Sequence, residues 1–473
     1  MSRRFIPDSL KLSKEVIESS LDVIKKRFAD KDNESVIVAN SHSFPVDEWI
    51  KVDVNEAYSA YDGEELLESE MSADGKNINI HIKLNPFTIK KITLQKTTEN
   101  AQSVCCWNEE AGLLTTPLYE VKLTEKGIAY IKDTAKNIRI FDNGEGELFT
   151  AYVEDGNYSS IGKWSVETSS FGAKTVFEGN VSTVSCRFEM CFTHNSKRID
   201  CKAKFELHGE KVGHTGIAEG LKKSLTIDGH RHEEKMNFVM NMCLDENRRM
   251  VRDLPFSISD WNGQIRKNES YWYPEDDIRY DVEVSPEESF ASTTYMQGVY
   301  WLGMNDENNG IAVFNKGCMG SLVQGNRLEI PLLYSGLYMC GDRILNGVFE
   351  DEFALFPYDS SISDAEIHRN AMSYNYKPVG LLNEKGDGDL SLLDFADFTT
   401  ADGEVILTTF YFEDGAYFAR FCNFSDESAV AEFNLNGSKN MSVTDLLGNI
   451  IDENIESKLN FRPWEIKTIK ISM

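Results

Sequence analysis

The side chains best equipped for chemistry lie in a few short runs. His230-Arg231-His232-Glu233-Glu234 sets two imidazoles two residues apart beside two carboxylates. On a strand His230 and His232 would share a face, a spacing that can hold zinc; a solvated, charge-rich turn accounts for the same residues. Trp261, Tyr271, Trp272 and Tyr273, next to Pro274-Glu275-Asp276-Asp277, combine aromatic faces with acids. Sugars stack on aromatic faces and donate hydroxyls to carboxylates, so Trp261, Trp272 and Tyr273 are candidate carbohydrate contacts. Aromatic loops that simply pack are the plainer reading. Glu350-Asp351-Glu352 supplies three adjacent carboxylates, but neighbours on a strand point to opposite faces, and a solvated edge strand is expected. The sequence contains no Gly-rich phosphate loop, nucleophile elbow or dinucleotide fingerprint.

Bulk properties remove several classes of function. A formal charge of −28 on 473 residues argues against nucleic acid, because phosphate binding needs a basic face. No apolar run approaches a membrane span, and Met1-Ser2-Arg3-Arg4-Phe5 is not followed by the apolar core of a signal peptide. The nine cysteines are scattered and odd in number, with no zinc-knuckle spacing. They read as reduced thiols, and a cytoplasmic location is expected.

The elements that must position these residues are mainly β. Two segments close in the same way: Pro86-Phe87-Thr88-Ile89-Lys90-Lys91-Ile92 and Pro463-Trp464-Glu465-Ile466-Lys467-Thr468-Ile469. Proline sets the entry to each strand, and the apolar positions then fall one residue out of step, as across a bulge. The expected opening partners are Val36 to Asn40 and Phe418 to Asn423. One segment is helical instead. Leu10, Ile17, Leu21, Ile24 and Phe28, widened by Val16 and Val23, repeat at helical spacing. Burying five such side chains is worth about 10 kcal/mol at most, so this stripe must pack on the β-domains, on a second copy or on a partner. Between about 118 and 378, strands of five to eight residues predict a large two-sheet sandwich, with a short helix near Ser363 to Met372. The expected domains are a helix at 1–30, a small β-sandwich at 31–120, a large β-sandwich at 121–380 and a small C-terminal sandwich at 381–473.

Taken in order, several segments resemble the C-terminal portion of glycoside hydrolase family 38, the α-mannosidases. They include Ser35-Val36-Ile37-Val38-Ala39-Asn40-Ser41 with Phe44-Pro45, then Gly127-Ile128-Ala129-Tyr130-Ile131, and Arg198-Ile199-Asp200. Gly310-Ile311-Ala312-Val313-Phe314-Asn315, Leu328-Glu329-Ile330-Pro331, Phe353-Ala354-Leu355-Phe356-Pro357 and the closure from Pro463 to Ile471 follow. The resemblance implies a mutarotase-like large sandwich flanked by two small ones, with the helix as the end of a helical bundle. Family members hold zinc on a His-x-Asp motif in an N-terminal domain, and none of the eight histidines here is followed two residues later by Asp. The resemblance therefore implies a non-catalytic half or subunit of a retaining α-mannosidase. Zinc and the paired carboxylates would belong to a catalytic partner domain or subunit, with self-association through the helix as the other way to cover its stripe. It also places Trp164 near a loop that reaches toward the carbohydrate cleft; a buried core tryptophan is the simpler role. A stand-alone carbohydrate-binding protein and an independent mutarotase-like sugar enzyme are the alternatives.

Overall fold

The two Pro-aromatic closures are the same backbone device used twice. In the computed structural model, Ser35–Ala39 pairs antiparallel with Thr88–Lys96, and Ala416–Asn423 pairs antiparallel with Ile466–Ser472, as their sequences predict. An asparagine ends each opening strand and locks the turn that begins each closing strand. Asn40 Nδ2 donates to the carbonyls of Phe44 (3.0 Å) and Asn85 (2.8 Å). Asn423 Nδ2 donates to those of Glu427 (2.7 Å) and Arg462 (3.0 Å). Asn85 and Arg462 each precede the proline. The aromatic after the proline then takes a left-handed conformation, with φ 52° at Phe87 and 56° at Trp464, a costly choice for a bulky residue that the surrounding bonds enforce.

The structure describes residues 9, 11–13, 15–16, 19–20, 24–72, 74–97, 103–154, 156–213, 235–245, 247–260, 268–273, 278–283, 294–317, 320–335, 344–400 and 404–472. They are mainly β and divide into two units, Met1–Asn100 with Tyr376–Met473, and Ala101–Asn375.

In the first unit, Ser35–Ala39 lies between Val379–Asn383 and Thr88–Lys96 in a six-stranded sheet. A three-stranded sheet carries Val46–Asp53 and Asn77–Leu84. The C-terminal sandwich packs a three-stranded sheet against a five-stranded one around Phe398, Phe421, Phe433, Leu459, Ile469 and Ile471. The expected bulge is absent. Thr88–Lys96 pairs with Ser35–Ala39 without a register shift. The pattern has another cause: the strand is buried on both faces, with Ile89 against Phe28 and Ile37 and Ile92 on the opposite side.

The second unit is a large sandwich. A single path of 14 strands runs from Ser257–Asp260 to Thr294–Gln297. Gly156–Thr168 pairs first with Phe149–Val153 and then with Gly172–Val181, so one strand joins both layers. Gly162 faces Gly179 in that pairing, and a Cβ on Gly162 would lie 2.3 Å from the Glu178 carbonyl oxygen. The layers meet through aromatic rings: Phe149 lies 5.2 Å from Phe205, and Phe238 lies 5.2 Å from both Phe188 and Phe353. The helix Asp364–Asn375 is capped by Ser363, whose Oγ accepts the Glu366 N–H at 3.2 Å.

Further positions differ from the sequence expectation. The division falls at 100/101 and 375/376 rather than 120/121 and 380/381. Leu114, Tyr119, Val121 and Leu123 bury into the large core, and alternation alone does not say which core a strand joins. Glu350 and Glu352 do share a solvated face, ion-paired with Lys202 and Lys316. Their strand, Asn346–Asp359, is central rather than an edge, flanked by Ile199–His208 and Asn309–Asn315.

Candidate functional site

Among the described residues, the best-built local site lies within the first unit, where the end of the N-terminal helix meets the six-stranded sheet. Residues 24–28 are helical, and Phe28, fully buried, packs with Ile37, Ile89, Leu390, Leu393 and Phe395. A helix end leaves carbonyls without intrahelical partners. Here a Gly-rich loop supplies them. Asn383 Nδ2 donates to the Lys25 carbonyl (2.8 Å), Leu390 N–H to Arg27 (2.9 Å), Gly388 N–H to Ala29 (3.2 Å) and Gly386 N–H to Asp30 (2.8 Å). Arg27 pairs with Asp389 at 3.2 Å and holds that carboxyl below its ordinary range. Burial alone would raise the Asp30 carboxyl. The N–H groups of Asp32 and Asn33 and the Lys91 ammonium outweigh it and hold the carboxyl low.

The glycines are required by contact distance. A Cβ on Gly388 would meet the Ala29 oxygen at 2.5 Å and the Arg27 oxygen at 2.6 Å, both backbone atoms. The loop from Asn383 to Leu390 is thus a cradle shaped for one helix end. It orients a helix rather than reacting with a substrate. Nearer the N-terminus, the described helical residues Leu12 and Val16 are 61% and 62% exposed at an i, i+4 spacing. Of the expected stripe, Ile24 and Phe28 pack here, Val16 is exposed, and Leu10, Ile17, Leu21 and Val23 lie outside the described residues. Sequence reasoning missed the cradle, because Gly386-Asp387-Gly388-Asp389 reads as an ordinary polar turn.

The other candidates fall in different settings. Trp164 is half-buried on Gly156–Thr168; its Nε1–H donates to the Thr124 carbonyl at 2.9 Å and its ring lies 5.2 Å from Phe177. Trp272 and Tyr273 end the strand Asn268–Tyr273, in register with Arg279 and Ile278 of Ile278–Glu283. Trp261, His230 and His232 lie outside the described residues. Among the described residues no group of three or more His, Cys, Asp or Glu side chains could hold a metal ion. They do not fit the zinc that the family resemblance implies, and no chemical step is derived through it. Among the described residues of the second unit, Asp253 and His368, 3.6 Å apart, form a strongly perturbed ionisable pair. Burial pushes Asp253 up to about 7 against its backbone N–H donors, and burial pushes His368 down to about 3. Asp253 accepts N–H bonds from Tyr300 and Trp301 at 3.0 Å, and both side chains are closed off from solvent. This pair fastens a turn to the helix Asp364–Asn375.

The architecture is similar to the β-sandwich region of solved family 38 glycosyl hydrolases. Residues 404–469 match the glycosyl hydrolases family 38 C-terminal beta sandwich domain. The chain superposes over 97% of its length on an alpha-mannosidase from Enterococcus faecalis V583, with a TM-score of 0.67 and 11% identity. A protein in glycosyl hydrolase family 38 from Enterococcus faecalis gives 0.66 and 10% identity over 96% of the chain. At that identity the likeness is one of fold. The chain spans 58% and 60% of the length of those two structures. No curated protein matches it in sequence.

Proposed function

We propose that this chain is the non-catalytic C-terminal half or subunit of an α-mannosidase-like glycoside hydrolase. It completes the fold and shapes the carbohydrate cleft, while zinc and the paired carboxylates come from a catalytic portion. The observation that carries this reading is the match of 97% of the chain to 58% of an alpha-mannosidase. The cradle supports it: Gly386, Gly388 and Asn383 fix the direction in which a helix leaves the sandwich. A fixed exit matters when the helix must join a bundle, because packed helices tolerate only a narrow range of crossing angles.

The test compares two baits in the source organism, the natural chain and Leu12→Asp/Val16→Asp. The natural chain captures a stoichiometric protein carrying a His-x-Asp motif, and the double variant loses it while both units stay folded. Capture that is unchanged by the double variant contradicts the role given to the helix. Recovery of the natural chain alone contradicts the subunit reading and favours a stand-alone sugar-binding protein.

A further inference from the structure

Three buried side chains meet where the helix Asp364–Asn375 packs on the large sandwich. Arg249–Leu254 pairs with Trp301–Asn305, and Arg252 lies opposite Leu302 in that register. Asp253 therefore sits beside Trp301, and His368 reaches both from the helix. Hydrogen bonding fixes the state of the histidine. The Trp301 indole N–H can only donate, and it donates to His368 Nδ1 at 3.3 Å. Nδ1 must accept, so the ring proton sits on Nε2 and His368 is neutral.

The 3.6 Å contact between His368 Nδ1 and Asp253 Oδ2 is then not an ion pair. An ionised carboxylate there would face a nitrogen lone pair. The surroundings act in the same direction. The Arg369 guanidinium also disfavours charge on His368. Arg249 and Asp364 neutralise each other at 2.6 Å, and the Tyr300 ring stands edge-on to the imidazole at 6.0 Å. Among the described residues, backbone N–H groups rather than a cation hold Asp253, those of Tyr300 and Trp301 at 3.0 Å.

We propose that Asp253 and His368 form a proton-compensated latch between the sandwich and the helix. Below neutral pH the pair carries one proton, on Asp253 rather than His368, so acidification does not unfasten the helix. Above neutral pH that proton leaves, and a buried carboxylate facing the Nδ1 lone pair loosens it. Burial supports both halves, pushing Asp253 up to about 7 and His368 down to about 3. Their ordinary values, 3.8 and 6.5, stand in the opposite order. The raised acid contributes stability that is complete below 3.8 and lost as pH rises through about 7. The lowered imidazole contributes stability that is complete above 6.5 and lost as pH falls toward about 3. Between about pH 4.5 and 6 both states bind one proton, on Asp253 when folded and on His368 when unfolded, so the two slopes cancel.

Urea unfolding of the full chain across that window tests this, with each variant read as a ratio to the natural chain. Asp253→Asn keeps an acceptor for the backbone N–H groups and removes the acid. Its folding constant relative to the natural chain falls about tenfold for each pH unit of acidification. His368→Gln keeps an acceptor for the Trp301 indole and removes the base, and its ratio rises about tenfold per unit. The double variant runs parallel to the natural chain. Single variants whose ratios do not change with pH, or change in the same direction, overturn the proposal. Infrared spectra decide the case if a variant does not fold. They are taken in an Asp351→Asn background, which removes another carboxyl that burial raises. A carbonyl band from a protonated carboxyl is present at about pH 6 and gone by about pH 9. Its absence at the lower pH overturns the proposal.

Discussion

The first and last sandwiches of the first unit are built around equivalent asparagines, and their surroundings differ. Asn40 uses three bonds: two from Nδ2 and one accepted by Oδ1 from the His42 N–H at 2.9 Å. Asn423 makes the same two Nδ2 bonds, but its buried Oδ1 has no hydrogen-bond partner among the described residues. The Phe87 N–H donates to the His42 carbonyl and the Trp464 N–H to the Ser425 carbonyl, so His42 and Ser425 hold equivalent places. His42 is buried, stacks on Phe44 at 4.6 Å and bonds the Tyr376 carbonyl through Nε2 at 2.8 Å. The first lock is bonded on all sides and seated on a neighbour. The second keeps the geometry with fewer ties.

The largest expected contrast is between the two rings. Phe87→Ala removes a buried aromatic from the C-terminal sandwich core and should cost about 3–5 kcal/mol. Trp464→Ala removes a half-exposed ring and should cost about 1–2 kcal/mol. Urea midpoints of the two variants measure this, and equal losses would show that Phe87 is not anchored in that core. Next come the asparagines. Asn423→Ala strands buried carbonyls at about 1–3 kcal/mol, and Asn40→Ala should exceed it by about 1 kcal/mol for the extra bond to His42. The reverse order would break the comparison.

A smaller effect follows from His42. Burial lowers its pKa below 6.5, against the opposing pull of the Tyr376 carbonyl and Glu48. Because the Tyr376 carbonyl can only accept, Nε2 carries the proton in the neutral ring. As pH falls below 6.5 the unfolded chain takes up a proton before the folded one does, so this contribution to stability is lost on acidification. His42→Ser, which copies the second lock, should flatten that part of the pH dependence. An unchanged slope would mean that His42 is not the group responsible.

Much of this architecture was legible because strand partners leave matching patterns. The Pro-aromatic closures, their opening strands and the capped helix after Ser363 all came from local residue order. What escaped depends on distant partners. The phase change between Ile89 and Ile92 reads as a bulge until Phe28 is seen packing on one face. The need for glycine at Gly388 is invisible until the Ala29 and Arg27 carbonyls arrive beside it from 359 and 361 residues earlier. Nothing in the local sequence distinguishes Phe87, which enters a neighbouring core, from Trp464, which remains half-exposed. Trp164 shows the same limit from the other side: only the family resemblance set it near a carbohydrate cleft, and its bond to the Thr124 carbonyl could be read only from the fold.

The most direct measurement of the central claim is hydrolysis of an α-mannoside by the purified chain and by the assembly it captures. Under the proposed function the chain alone gives no turnover. The assembly turns over with retained anomeric configuration, and the activity is abolished when zinc is removed and restored when it is returned. Turnover by the chain alone, or an assembly that binds no zinc and hydrolyses nothing, would contradict it.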